Sequence, residues 1–199
     1  MHYSFLIETY RTERLKTLSV WSQVADAQMD VRLERRGRTP HEHMVHQCVS
    51  EDTWMRTMLD VSTPLAALPK PTTRLAFLAH YAAASSARLA ILEQRPDDWF
   101  EQETAFFDTR RSRAWIFTRR LTHSAHHRGQ ITAYLRLWGQ ALYSTYGPSA
   151  DTGGLFQHQA PVIYRYGSVE ELLEGEAAGG RYPPLPGPGA HSPTERPES

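Results

Sequence analysis

Residues 121–130 read Leu-Thr-His-Ser-Ala-His-His-Arg-Gly-Gln and hold three of the chain's 10 histidines. On a helix each residue advances about 100°. His123 and His127, four apart, then lie one above the other on one face, while His126 is turned nearly 100° from His127. Ile116, Ile131, Tyr134 and Trp138 fall on the same side, so the pair points where buried apolar side chains point. Two imidazoles at this spacing can converge on one ion at bond lengths of about 2.0–2.1 Å. Two ligands rarely hold a metal, so a third must come from another element. His46 is the best candidate, with His41, His43 and His80 as competitors. Gly129 costs about 1 kcal/mol in a helix interior relative to alanine, and is read as allowing a neighbouring helix to approach closely.

Four long helical patterns must position these groups. The first runs from about Ser4 to Gln28, with Phe5, Leu6, Tyr10, Leu15, Leu18, Trp21 and Val24 at near-helical spacing. The second opens at Thr39-Pro40-x-Glu42, a capping box with proline at the first helical position, and continues to about Leu59. Pro64, Pro69 and Pro71 then punctuate a loop. The third starts near Thr72 or Thr73 and is rich in alanine and leucine. Residues 97–108 suit either a loop or a short strand pair around Phe100 and Phe106–Phe107. The fourth helix spans about Thr109 to Trp138, with Gly139 as its stop. The expectation is an all-α four-helix bundle over residues 1–150, with an irregular extension over 151–178 packed on it. A second capping box at Ser168 opens a short helix there, and a Pro/Gly-rich flexible tail follows over 179–199.

Composition narrows the function classes. The 22 basic and 22 acidic side chains cancel, which argues against broad electrostatic binding to nucleic acid or anionic membrane. One cysteine excludes an intrachain disulfide framework. The N-terminal segment is interrupted by charge too early for a secretory leader. No stretch is read as approaching the roughly 20 apolar residues of a membrane span. A soluble cytoplasmic protein is expected.

A helical wheel of the second helix gathers Met44, Cys48, Met55 and Leu59 in one apolar arc that also takes in His41. His46 lies nearly opposite, beside Glu42, Ser50 and Thr53. It then faces either a polar cleft between helices or solvent, and periodicity leaves both open. Cys48, inside the arc, reads as an inert buried thiol. Arg110, Arg111, Arg113, Arg119, Arg120 and Arg128 form a basic run, read as a solvated face or, more sharply, as a receptor for a phosphate or carboxylate. Glu42, Glu51 and Glu103 are candidates to hold the free nitrogen of a ligating imidazole. Trp54, Tyr134 and Trp138 are assigned to the core.

The segment Val45-His46-Gln-Cys-Val-Ser-Glu51-Asp-Thr-Trp54, together with Leu121-Thr-His123-Ser-Ala-His126-His127-Arg128-Gly129-Gln130, resembles the DinB/YfiT-like family of damage-inducible helical bundles. The resemblance covers roughly residues 1–150, and its most specific part is the H-x-x-x-H-R-G-Q run. It implies an up-down-down-up four-helix bundle, frequent homodimers, and a divalent metal (zinc, nickel, iron or manganese) on His46, His123 and His127. For some members it implies reactions with low-molecular-weight thiols. The expected function is a metal-dependent enzyme acting on a small molecule, either a thiol-cofactor-dependent transferase or a metal-assisted hydrolase. The rivals are a non-catalytic metal-binding stress-response or interaction protein and, least favoured, a nucleic-acid binder.

Overall fold

The computed structural model describes residues 2–65, 68 and 72–191. Pro69, Pro71 and the last eight residues of the expected tail lie outside them. The chain forms two compact units, Met1–Ile131 and Thr132–Ser199, with the boundary inside the longest helix.

The first unit is built on α1 (Ser4–Trp21), α2 (Pro40–Thr57), α3 (Arg74–Leu92) and the greater part of α5 (Arg113–Leu137), with a short α4 (Asp97–Glu101) between the last two. Thr39 caps α2 as its sequence requires. Its hydroxyl accepts from the Glu42 N–H at 3.1 Å, and the Glu42 carboxylate accepts from the Thr39 N–H at 2.9 Å. Thr73 caps α3 by accepting from the Ala76 N–H. Helix α1 stops at Trp21, seven residues before the expected Gln28, and residues 26–28 form a separate 3-10 turn. Val24 and Met29 are buried beyond that stop, so apolar spacing continues although the helix does not.

The ambiguous stretch resolves into a helix and a hairpin. Phe100 is fully buried in α4, not in a strand. The strand pair lies further on: β1 (Glu103–Phe106) runs antiparallel to β2 (Thr109–Ser112), with Glu103 opposite Ser112 and Phe106 opposite Thr109. The fourth long helix therefore begins at Arg113 rather than Thr109. Phe107, at the hairpin turn, has φ 52°, a left-handed conformation that costs a bulky residue about 1–3 kcal/mol.

One hydrophobic core joins these elements. It takes Leu6, Ile7 and Tyr10 from α1, Met55 from α2, Leu89 and Leu92 from α3, Trp99 and Phe100 from α4, and Ile116, Phe117 and Leu121 from α5. The expected apolar arc of α2 is buried: Met44, Met55 and Leu59 are inaccessible, and Cys48 nearly so. Helix α3 is long and apolar enough, by length and composition alone, to cross a membrane, which corrects the expectation that no stretch approaches this. Half of its most apolar window is buried inside the protein, and the core helix of a bundle passes the same test.

A buried polar network crosses the core. The Glu51 carboxylate accepts from Tyr10 Oη at 2.7 Å, from Tyr81 Oη at 3.0 Å and from Arg88 Nη1 at 3.2 Å, and Arg120 Nη2 stands 3.6 Å away. These partners come from α1, α3 and α5, and Glu51 itself from α2. A second buried pair links α5 to α1: Arg128 donates to the Glu13 carboxylate and, at 3.1 Å, to Thr17 Oγ1.

In the second unit, Gly139 at φ 73° follows the end of α5, as expected of a helix stop. Arg136 and the Leu142 N–H both donate to Asp151. Ser168 caps α6 (Val169–Ala177) by accepting from the Glu171 N–H. The buried Glu176 accepts from Arg165 at 3.1 Å and Tyr166 Oη at 2.6 Å, and the Arg165 guanidinium lies 3.3 Å over the Tyr182 ring.

Glu51→Ala leaves two phenols and a guanidinium buried without their acceptor. The expected loss is about 3–5 kcal/mol of stability, measured as a lowered urea midpoint; a midpoint within error of the parent protein would contradict the role given to this carboxylate.

Candidate metal centre

The centre is assembled by the residues that follow its histidines. Gln47, one position after His46, donates from Nε2 to the Ser124 carbonyl at 3.2 Å. Ser124 is one position after His123. The Gln47 side-chain carbonyl accepts from Arg120, which also donates to Ser124 Oγ at 3.1 Å and Ser50 Oγ at 2.9 Å. Helices α2 and α5 are thus clamped beside the imidazoles, and His46 turns toward α5.

Ligand-capable atoms of His46, His123 and His127 all lie within 4.8 Å of one another. The His46 ring is 5.3 Å from that of His123 and 4.6 Å from that of His127, centroid to centroid. His123 Nε2 and His127 Nε2 are 3.3 Å apart. A tetrahedral ion with bonds of about 2.0–2.1 Å sets its ligand nitrogens roughly 3.3–3.4 Å apart, so this pair already has ligand spacing. His127 Nδ1 donates to the Gln130 side-chain carbonyl at 2.7 Å. That fixes the tautomer and leaves the Nε2 lone pair facing His123. The cleft placement of His46 is therefore the one adopted.

The imidazoles are held neutral. Burial lowers His127 to about 4, opposed by the Gln130 hydrogen bond and reinforced by the neighbouring His46, His126 and Arg38. Burial, then the Arg120 guanidinium, lowers His123 to about 3. Burial, then Arg38 and Arg120, lowers His46. Neutral imidazole is the form that donates a lone pair to a metal, so donor set, spacing and protonation all fit a divalent ion.

The competing histidines have other surroundings. His41 pairs through Nδ1 with Asp30 at 2.9 Å and sits edge-on to Phe77. His43 is buried, its ring 5.4 Å from that of His127, and burial, then His127, lowers it to about 4. His80 lines a separate cavity with Cys48 and Arg88. His126 is exposed. Burial, then Glu51, pushes the Cys48 thiol up to about 12, which keeps it inert as expected.

Three expectations need correction. None of the three carboxylates holds an imidazole nitrogen among the described residues: Glu42 is spent on the cap and on Arg32, Glu51 on the core network, and Glu103 on Arg110. The amide of Gln130 does that work for His127. Gly129 is exposed, and a Cβ there would meet nothing within 4 Å, so it admits no neighbouring helix. The arginine run is neither a uniformly solvated face nor a free anion receptor, because Arg120 and Arg128 are buried in internal bonds. Trp54 packs against the core as expected, partly buried, and its ring also lies 5.6 Å from the His123 ring, tilted by 31°.

The chain belongs to the DinB family, whose family model matches residues 3–154. It is similar to the crystal structure of a DinB-like protein from Bacillus cereus (TM-score 0.63, 17% identity, covering 71% of this chain and 95% of that one). It is also similar to that of a DinB-like protein from Bacillus subtilis (TM-score 0.59, 14% identity, 71% and 96%). At these identities the likeness is one of fold. No curated protein matches the chain.

The lowered histidines set an acid limit on the metal-free protein. The unfolded chain takes up these protons near pH 6.5, and the folded one only at about 3 to 4. Their stabilisation is complete above about pH 6.5 and is lost as pH falls toward 4. In chelator-treated protein the urea midpoint is expected to fall between pH 6.5 and 5, above the carboxylate range; a flat midpoint there would contradict the lowered values.

Proposed function

We propose that this DinB-family protein is a metal-dependent enzyme whose divalent ion is held by His46, His123 and His127. The observation that carries the reading is the convergence of three neutral imidazoles from two helices within 4.8 Å. Three neutral ligands leave the ion's charge uncompensated and at least one position open, as in catalytic rather than structural zinc sites. When bound, such an ion supplies Lewis acidity that makes a water or thiol proton acidic near neutral pH. The chain's own groups prepare the site. Gln130 holds the His127 tautomer, the Gln47–Ser124 clamp fixes the spacing of the two helices, and burial, helped by Arg120, keeps His123 unprotonated. Cys48, buried and held as a thiol, supplies no nucleophile, so the attacking group comes from solution.

Two reaction types follow: transfer of a low-molecular-weight thiol to an electrophile, or metal-assisted hydrolysis of a small molecule. The same reading takes the ion as zinc, nickel, iron or manganese and the protein as a homodimer, following the family resemblance, and places it in the cytoplasm on its composition.

Protein purified without chelator or a nickel column is expected to carry about one divalent ion per chain by elemental analysis. His46→Ala, His123→Ala and His127→Ala should each lose it, and Gln130→Ala should weaken metal affinity roughly 10–100-fold. Full metal content in both His123→Ala and His127→Ala would remove the site. Stoichiometric metal with no turnover of thiol acceptors or hydrolysable esters and amides would remove the enzyme and leave a non-catalytic metal protein.

A further inference from the structure

The surface leading away from the imidazoles is apolar and aromatic. Beside His46 an open groove of about 530 Å³ runs along α2 between His41 and Ser50, with Val45 and Val49 as its apolar wall. The groove is open to solvent and lined by that one helix, and Val49 remains 53% exposed. One turn beyond Ser50 comes Trp54, whose ring lies 5.6 Å from that of His123. The rings of Phe106 and Phe107 meet Trp54 edge-on, at 5.4 Å and 6.0 Å between centroids and 79° and 82° between planes. The hairpin turn thus sets two aromatic rings at right angles to a third that borders the candidate metal centre.

Phe107 is the unusual member. The residue is 69% exposed, yet its backbone is held at φ 52°. Burial does not repay that conformation, and asparagine or glycine would adopt it with less strain. An exposed, strained aromatic against a half-buried tryptophan marks a surface used for contact.

We propose that the site takes an uncharged substrate with a planar aromatic group, seated in the α2 groove and against the Trp54, Phe106 and Phe107 rings, with its reacting end toward the imidazoles. The position of that reacting end rests on the metal reading; the aromatic seat does not. Ring faces and edges at these angles favour offset-stacked or edge-to-face contact with a further ring. The arginines buried in α5 offer an anionic substrate no free guanidinium, because both are already committed. Arg120 donates to Gln47, Ser50 and Ser124, and Arg128 to Glu13 and Thr17.

The test uses the full chain, both chelator-treated and zinc-loaded, with 4-nitrobenzyl alcohol as probe and cyclohexylmethanol and benzoate as comparators. Ligand-observed NMR and titration calorimetry give the affinities. The aromatic alcohol is expected to bind in preference to both comparators, with or without zinc. Trp54→Leu and Phe107→Asn are each expected to weaken it about fivefold. Phe107→Asn keeps a residue that tolerates the left-handed turn, so it separates loss of the ring from loss of the fold. Unchanged affinity in both variants overturns the proposal, as does tighter binding of benzoate. A Phe107→Asn chain that passes from dimer to monomer overturns it too, by making the rings an interface between copies. A parent chain that carries its zinc but binds no probe removes the aromatic seat alone; a His123→Ala chain that loses zinc without change in probe binding leaves the seat standing.

Discussion

The buried carboxylate of Glu51 is the constraint around which the helical unit is arranged. An ionised carboxylate away from water is costly unless it is fully hydrogen-bonded. Here two phenols and a guanidinium point at it, and a second guanidinium stands close by. Each partner belongs to a different helix or a different turn of one, so satisfying this charge fixes how α1, α2, α3 and α5 stand relative to one another. Apolar packing alone tolerates sliding by fractions of a turn; a carboxylate with four directional partners does not. Burial and the neighbouring carboxylate also hold the phenols of Tyr10 and Tyr81 protonated, well above their usual range, so they remain donors.

The same network reaches the histidines. Arg120 stands beside Glu51 and bonds to Gln47 and Ser124, the residues that follow His46 and His123. The core carboxylate and the candidate metal centre are therefore two ends of one polar chain. Burial, reinforced by this guanidinium and, at His46, by that of Arg38, keeps the imidazoles from protonating. Of the basic run, Arg120 and Arg128 are buried and carry structure.

Within the run His-Arg-Gly-Gln at 127–130, successive residues divide the labour by angle. His127 faces the cluster, Arg128 turns about 100° to reach Glu13 and Thr17 on α1, Gly129 meets open space, and Gln130 returns to hold His127. A short motif thus supplies a ligand-capable ring, the bond that docks its helix and the bond that orients the ring. Trp54 and the hairpin rings add an apolar margin on one side.

Local rules determined much of this from the sequence alone. The caps at Thr39, Thr73 and Ser168, the stop at Gly139 and the stacking of His123 over His127 follow from interactions within a few residues. So does the burial of Met44, Cys48, Met55 and Leu59 as one arc. His46 is already the preferred third ligand on its residues and the motif resemblance strengthens it, but its own helix wheel leaves it facing either water or a cleft. Only the tertiary structure could decide between those, because the answer lies in Gln47 and Ser124 meeting across two helices 77 residues apart. The same holds for the partners of Glu51, the spending of Arg120 and Arg128, the hairpin that displaced the start of α5, and the open space at Gly129. Sequence spacing records which way a side chain points from its own helix; what stands opposite it is set by contacts between elements, and those exist only once the chain has folded.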